Sequence, residues 1–179
     1  LVGILCALAP VIAPYSFDGI DLDSVKQAPS LSHWMGTDDL GRDVFTRMLF
    51  GGRVSILIGL LAAVVGTFLG TVIGASAGFY GGLVDNILMR ITEVFQVMPR
   101  FFLALVIVAM FGADLWGTIF VIGILSWAEI ARLVRSEFLT LRDRPFVMAA
   151  RVYGASDTQI IFREILPNAL TAVIVAASL

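Results

Sequence analysis

Ser55 to Phe79 is a run without one charged side chain. It is longer than the roughly 20 apolar residues a helix needs to cross the hydrocarbon of a bilayer. Within it Gly66, Gly70, Gly74 and Gly78 recur at every fourth position, and Gly59 and Ala62 extend the same small face. Small residues at helical spacing let a second backbone come close, which is how helices associate in lipid. Ordinary helix packing is therefore the expected role of this seam. Composition agrees with a membrane setting. Of 179 residues, 59% are hydrophobic and only 15% charged, and mean hydropathy is +0.95. A soluble domain is nearer about half apolar and a quarter charged. The net charge of -2 carries little meaning, because the placement of Lys and Arg matters more than their sum. The expected fold is all-α, a polytopic bundle with about five membrane spans.

Taken in order, residues 1–13 are apolar but too few to cross. No basic stretch precedes them as in a signal peptide. They read as the end of a first span whose beginning is missing. Cys6, the sole cysteine, excludes an intrachain disulfide and reads as packing. Residues 14–54 form a long polar connection rich in aspartate. Within it Thr37 or Asp38 is placed to cap a short amphipathic helix carrying Leu40, Val44, Phe45, Met48 and Leu49. Asp39, Arg42 and Asp43 are spaced for local ion pairs that order the loop; a role in receiving a partner is the sharper alternative.

After the uncharged run, Tyr80-Gly81-Gly82 reads as a tight turn. Asp85 to Phe111 is a third span, with Asp85, Arg90, Glu93 and Arg100 expected near the interface and Arg90 and Glu93 spaced to pair. Pro99 predicts a kink. Leu115 to about Ile130 is a fourth span that continues as helix to Leu141, with Glu129 near its inner end. Trp116 and Trp127 suit interfacial belts. Asn168 onward opens a fifth span that stops short.

Phe146 to Pro167 lies between the last two spans. Pro145 can open a helix, and Phe146, Ala149, Ala150 and Tyr153 share one face of it. Gly154 then suits a left-handed stop. Ser156 with Gln159 is a capping-box pattern that starts a second helix at once. Pro167 kinks or restarts the chain as the next span begins. Arg132, Arg135, Arg142, Arg144, Arg151 and Arg163 cluster around this stretch. The positive-inside rule therefore puts residues 142–167 in the cytoplasm and residues 14–54 outside.

Several chemistries are excluded. Lys26 is the only lysine, so no phosphate-binding loop ending in Gly-Lys-Ser/Thr exists in these residues. These residues cannot hydrolyse ATP by that route, and if transport is ATP-driven the ATPase is expected on another polypeptide. His33, the only histidine, sits beside Trp34 in the polar loop and reads as a surface residue, without the further ligands a metal needs. Ser126 has no histidine near it in sequence for nucleophilic catalysis. Charge is too sparse for nucleic acid. Neither catalytic residues nor a cofactor or metal site are expected.

Two blocks resemble a known family. Ala149-Ala150, Gly154, then Ile165-Leu166-Pro167 resemble the "EAA" loop of ABC-type import permeases, with Met148 where that loop usually carries Glu and its Ile matched by Ile165 or Phe162. Gly36-Thr37-Asp38-Asp39-Leu40-Gly41-Arg42-Asp43, followed by Arg47 and Gly51-Gly52-Arg53, is similar to the signature of the dipeptide, oligopeptide and nickel branch. The resemblance implies a non-catalytic permease subunit in a bacterial-type inner membrane, with residues 55–179 its core. It implies a second homologous permease chain, two ABC ATPase subunits and an extracytoplasmic solute-binding protein as partners. The docking residues it implies are Phe146, Met148, Ala149, Ala150, Arg151, Tyr153, Gly154, Ala155, Ser156, Leu166 and Pro167. A structural or channel-like membrane subunit without an ATPase is the competing reading, which the seam and the wet loop suit equally.

Overall fold

The computed structural model describes residues 2–112, 114–169 and 174. Among them all regular structure is helical, apart from one isolated bridge between Thr37 and Asp43. The chain divides into two compact units, Leu1–Gly59 and Leu60–Leu179.

The first unit begins with two short helices, α1 (Val2–Ala7) and α2 (Ala9–Ile12). A loop stitched by its own backbone follows. Asp21 N–H donates to the Leu40 carbonyl at 3.3 Å, Lys26 N–H to Asp38 at 3.1 Å and Thr37 N–H to Gln27 at 3.1 Å. Helix α3 (Val44–Tyr80) begins in this unit. Its cap is Asp43, whose carboxylate accepts from Thr46 N–H at 2.7 Å. The expectation of a short helix capped at Thr37 or Asp38 is thus corrected. Gly36 and Gly41 have positive φ and the chain is still looping there. Val44 to Leu49 forms the first turns of one 37-residue helix, roughly 56 Å long.

In the second unit Gly81 and Gly82, both at positive φ, turn the chain from α3 into α4 (Gly82–Val97). Helix α5 (Arg100–Phe111) follows after a bend of 93° at Met98-Pro99. This is a break rather than the expected kink. Pro99 has an extended ψ of 118° and stands as the N-cap of α5, so the ladder stops instead of bending. Arg100 accordingly opens a new helix and does not belong to the first turns of α4. Helix α6 (Leu115–Leu141) returns, capped by Asp114, whose side chain accepts from Gly117 N–H at 2.9 Å.

Helices α3 and α6 are each long and apolar enough to span a membrane, and the bent pair α4–α5 would be a third span. Residues 1–13, expected as the end of a first span, hold the two short helices α1 and α2, neither of them long enough to cross a membrane alone. The fifth, from Asn168, lies mostly outside the described residues.

Glycines bring α3 onto α6. A Cβ at Gly66 would meet the Ser126 hydroxyl, at Gly70 it would lie 2.7 Å from the Trp127 carbonyl, and at Gly78 2.6 Å from the Phe138 side chain. Gly123 of α6 answers in kind, with Val65 2.8 Å from where its Cβ would be. Helix α4 also packs on α6. Phe95 stands edge-on to Trp127, which is 4% exposed. Trp127 is therefore core and not an interfacial belt residue. Trp116 is 66% exposed, as a belt residue would be.

Candidate functional site

Helix α7 (Pro145–Val152) starts on its proline, as the missing N–H at that position allows. It ends in a Schellman motif: Gly154 N–H donates to Arg151 O and Ala155 N–H to Ala150 O, both at 3.0 Å, with Gly154 at φ 81°. Ser156 closes a complete capping box with Gln159, the two bonds measuring 3.4 and 3.0 Å. Helix α8 (Asp157–Gln159) then passes into a π-wound turn, Ile160–Ile165. This wider winding comes just before Pro167, whose ring an α-turn would force against a carbonyl. Asn168 donates its side-chain amide to the Glu164 carbonyl at 2.6 Å.

The face of α7 differs from the one periodicity predicts. Val147 is fully buried, and Ala150 packs beside it against a core of Phe79, Val134, Phe138, Ile160 and Ile165. Ala155 and Leu166 pack on that same core. The outward side carries Met148, Ala149, Val152 and Tyr153, with Phe146 at its edge. Val152 and Tyr153 are 86% and 90% exposed. Arg151 is exposed too, its guanidinium 5.6 Å from the Phe79 ring centre. Sequence spacing put Ala150 on the outer face because α7 alone does not say which side meets α3 and α6. Gly154, Ser156 and Pro167 lie at the exposed corner.

One apolar core therefore joins the exposed corner to α3 through Phe79 and to α6 through Phe138. Two polar ties hold the same end. Arg142 donates to the Gly78 carbonyl at 3.0 Å, and Arg135 makes a two-point contact with Asp85, one bond of which measures 2.6 Å.

Gly36, Thr37, Asp38, Gly41, Arg42 and Asp43 of the second sequence block each make close contacts inside the first unit. A Cβ at Gly36 would lie 2.4 Å from the Gln27 carbonyl, and at Gly41 one would strike the Asp21 backbone. Thr37, nearly buried, donates to Ser24 O and accepts from Gln27 N–H at 2.9 Å. Asp38 accepts from Leu40 and Arg42 N–H groups and pairs with Arg42 and Arg47 at 2.8 and 3.4 Å. Burial pushes its carboxyl up, but these bonds outweigh it and hold the pKa below the usual value. The ion pairs expected from spacing are thus reassigned: Arg42 takes Asp38, Lys26 takes Asp39 at 2.9 Å, and Asp43 takes His33 at 3.0 Å.

His33 is no surface residue. Its side chain is 13% exposed and stacks on Tyr15 at 4.7 Å. Nothing in local sequence pointed to its hydrogen bond with Asp43, ten residues away. Among the described residues no three His, Cys, Asp or Glu side chains gather as a metal site.

Residues 70–179 match the family described as binding-protein-dependent transport system inner membrane component. The chain belongs to that family. A putative peptide permease protein of Brucella abortus is 40% identical over 95% of this chain and 56% of its own length. The dipeptide transport system permease protein of Alkalihalophilus pseudofirmus is 38% identical over 98% of this chain and 58% of its own. The oligopeptide transport system permease protein of Escherichia coli is 38% identical over 100% of this chain and 60% of its own. The chain thus spans somewhat over half the length of these curated relatives.

Proposed function

We propose that this chain is the transmembrane permease subunit of an ATP-driven importer that moves peptides or a similar small solute by alternating access. A second, homologous permease chain completes the path, two ABC ATPase subunits bind on the cytoplasmic side, and an extracytoplasmic solute-binding protein delivers cargo to residues 14–54. The α7–Gly154–α8 corner is the ATPase-docking surface. The observation that carries this reading is the seating of that corner. It offers Met148, Ala149, Val152 and Tyr153 to a partner while Val147, Ile160 and Ile165 sit in one core with α3 and α6. A load on α7 therefore reaches both long helices without a flexible joint. Names of the relatives support peptides as cargo.

Tyr153→Cys in a Cys6→Ser background tests the docking. In inverted vesicles it should crosslink to a polypeptide that mass spectrometry identifies by a phosphate-binding loop, the motif this chain lacks. A crosslink absent there, with the same residue labelled from the outer medium, would leave a channel-like subunit without a motor.

A further inference from the structure

Glu129 lies fourteen residues beyond Leu115, the start of α6, or roughly 21 Å along its axis. Asp114 and the exposed Trp116 mark that start as the interface. The hydrocarbon is about 30 Å thick, so Glu129 sits within it, and any tilt of α6 brings it closer to the midplane. Arg100, the first residue of α5, donates to the Glu129 carboxylate. Both side chains are 58% exposed.

A charged pair at this depth that protein does not cover cannot face lipid without a large penalty; such residues face a bundle interior or water. Two further features surround it. The 93° break at Met98-Pro99 immediately precedes Arg100, and irregular backbone at membrane depth persists only where it meets protein or an aqueous cavity. Arg132, one turn beyond Glu129, lines a cleft of 330 Å³ with Asp85, Arg90, Glu93 and Arg135. Charged side chains therefore line α4 and α6 from Asp85 to Glu93 and from Glu129 to Arg135.

We propose that Arg100 and Glu129 face the aqueous path and form a station for a zwitterionic solute such as a short peptide, whose carboxylate pairs with Arg100 and whose ammonium pairs with Glu129. This rests on the permease reading above. When empty, the station satisfies itself. A solute carrying both charges exchanges one ion pair for two, whereas a solute carrying one charge leaves a partner unpaired, and that loss discriminates against it.

The test uses the full-length permease with its partner subunits in membrane vesicles, on a Cys6→Ser background. A membrane-impermeant methanethiosulfonate should modify Arg100→Cys and Glu129→Cys roughly tenfold faster than Val106→Cys, because only a wetted thiol ionises readily. Equally slow modification at all three would overturn the placement. At high concentration trialanine, still held by the one charge left in each variant, should slow the reaction at both sites while N-acetyl-trialanine amide, which carries neither charge, does not; protection by both or by neither removes the station. In ATP-driven uptake, Arg100→Gln should raise the KM for trialanine roughly tenfold, the loss of one charge-assisted contact, and should not raise that for trialanine amide, which no longer strands an arginine or competes with it for Glu129. Wild-type vesicles that accumulate no trialanine would refute the peptide-permease reading itself. Uptake with an unaltered KM in the variant would refute only the station.

Discussion

Gly154 has φ +81° and open space where a Cβ would be built. A substitution there tests backbone strain without a clash. Gly154→Val should cost about 1–2 kcal/mol through the left-handed conformation and lower Tm in detergent, while Gly154→Asn recovers part of the loss. If α7 passes force to the spans, the Val variant should also hydrolyse ATP without matching transport. Unchanged uptake alongside a lowered Tm would separate fold from coupling.

Asp43 makes a second residue-scale case. Its side chain is 1% exposed, so burial pushes the carboxyl up. The Thr46 N–H and His33 bonds outweigh that and hold its pKa below the ordinary 3.8. A folded value below the unfolded one contributes stability that is fully present above about pH 4 and is lost as pH falls through the folded value. Asp43→Ala should remove an N-cap worth about 1 kcal/mol at neutral pH. Thermal unfolding followed from neutral to acid pH should then show a shallower acid decline than in the wild type.

At the scale of elements, the glycines of α3 separate two effects. Alanine is worth up to about 1 kcal/mol more than glycine inside a helix. At Gly59, with nothing within 4 Å, that gain stands alone, so Gly59→Ala should leave Tm unchanged or slightly raised. At Gly74 a Cβ would meet the Ala131 backbone carbonyl and lie 2.8 Å from Val134. Overpacking of this kind costs about 1–3 kcal/mol, which outweighs the propensity gain, so Gly74→Ala should lower Tm. Equal shifts at both positions would mean that α3 does not approach α6 through this face.

The elements also differ in how far local sequence reveals them. The Schellman stop at Gly154, the capping box at Ser156 and the proline start of α7 are settled by residues within one turn, and each was legible. The inward turn of Ala150 was not, because it depends on where Phe79 and Phe138 lie. The break at Pro99 read only as a kink, since a proline alone does not say whether the chain continues through it. Trp127 read as a belt residue because its sequence gives no hint that Phe95 covers it.

For the whole molecule, composition and the uncharged run made the helical membrane class legible, and the two motif blocks pointed to the family. The contact of His33 with Asp43 and that of Arg100 with Glu129, twenty-nine residues apart, depended on the fold and left no periodic trace. Orientation rests on charge alone and admits a direct test. Lys26, 73% exposed at its side chain, stands in the Asp-rich loop, and Arg151 stands at the α7 corner. Arginines are frequent around Arg151 in the sequence, and the topology proposed from the positive-inside bias puts that stretch in the cytoplasm. An impermeant amine reagent applied to right-side-out vesicles should therefore modify Lys26, located by peptide mass mapping. Arg151→Cys on the Cys6→Ser background should react with an impermeant thiol reagent only in inverted vesicles. Reversal of both results would place α7 outside, where no ATP-driven subunit could reach it, and the transport mechanism would fall with the topology.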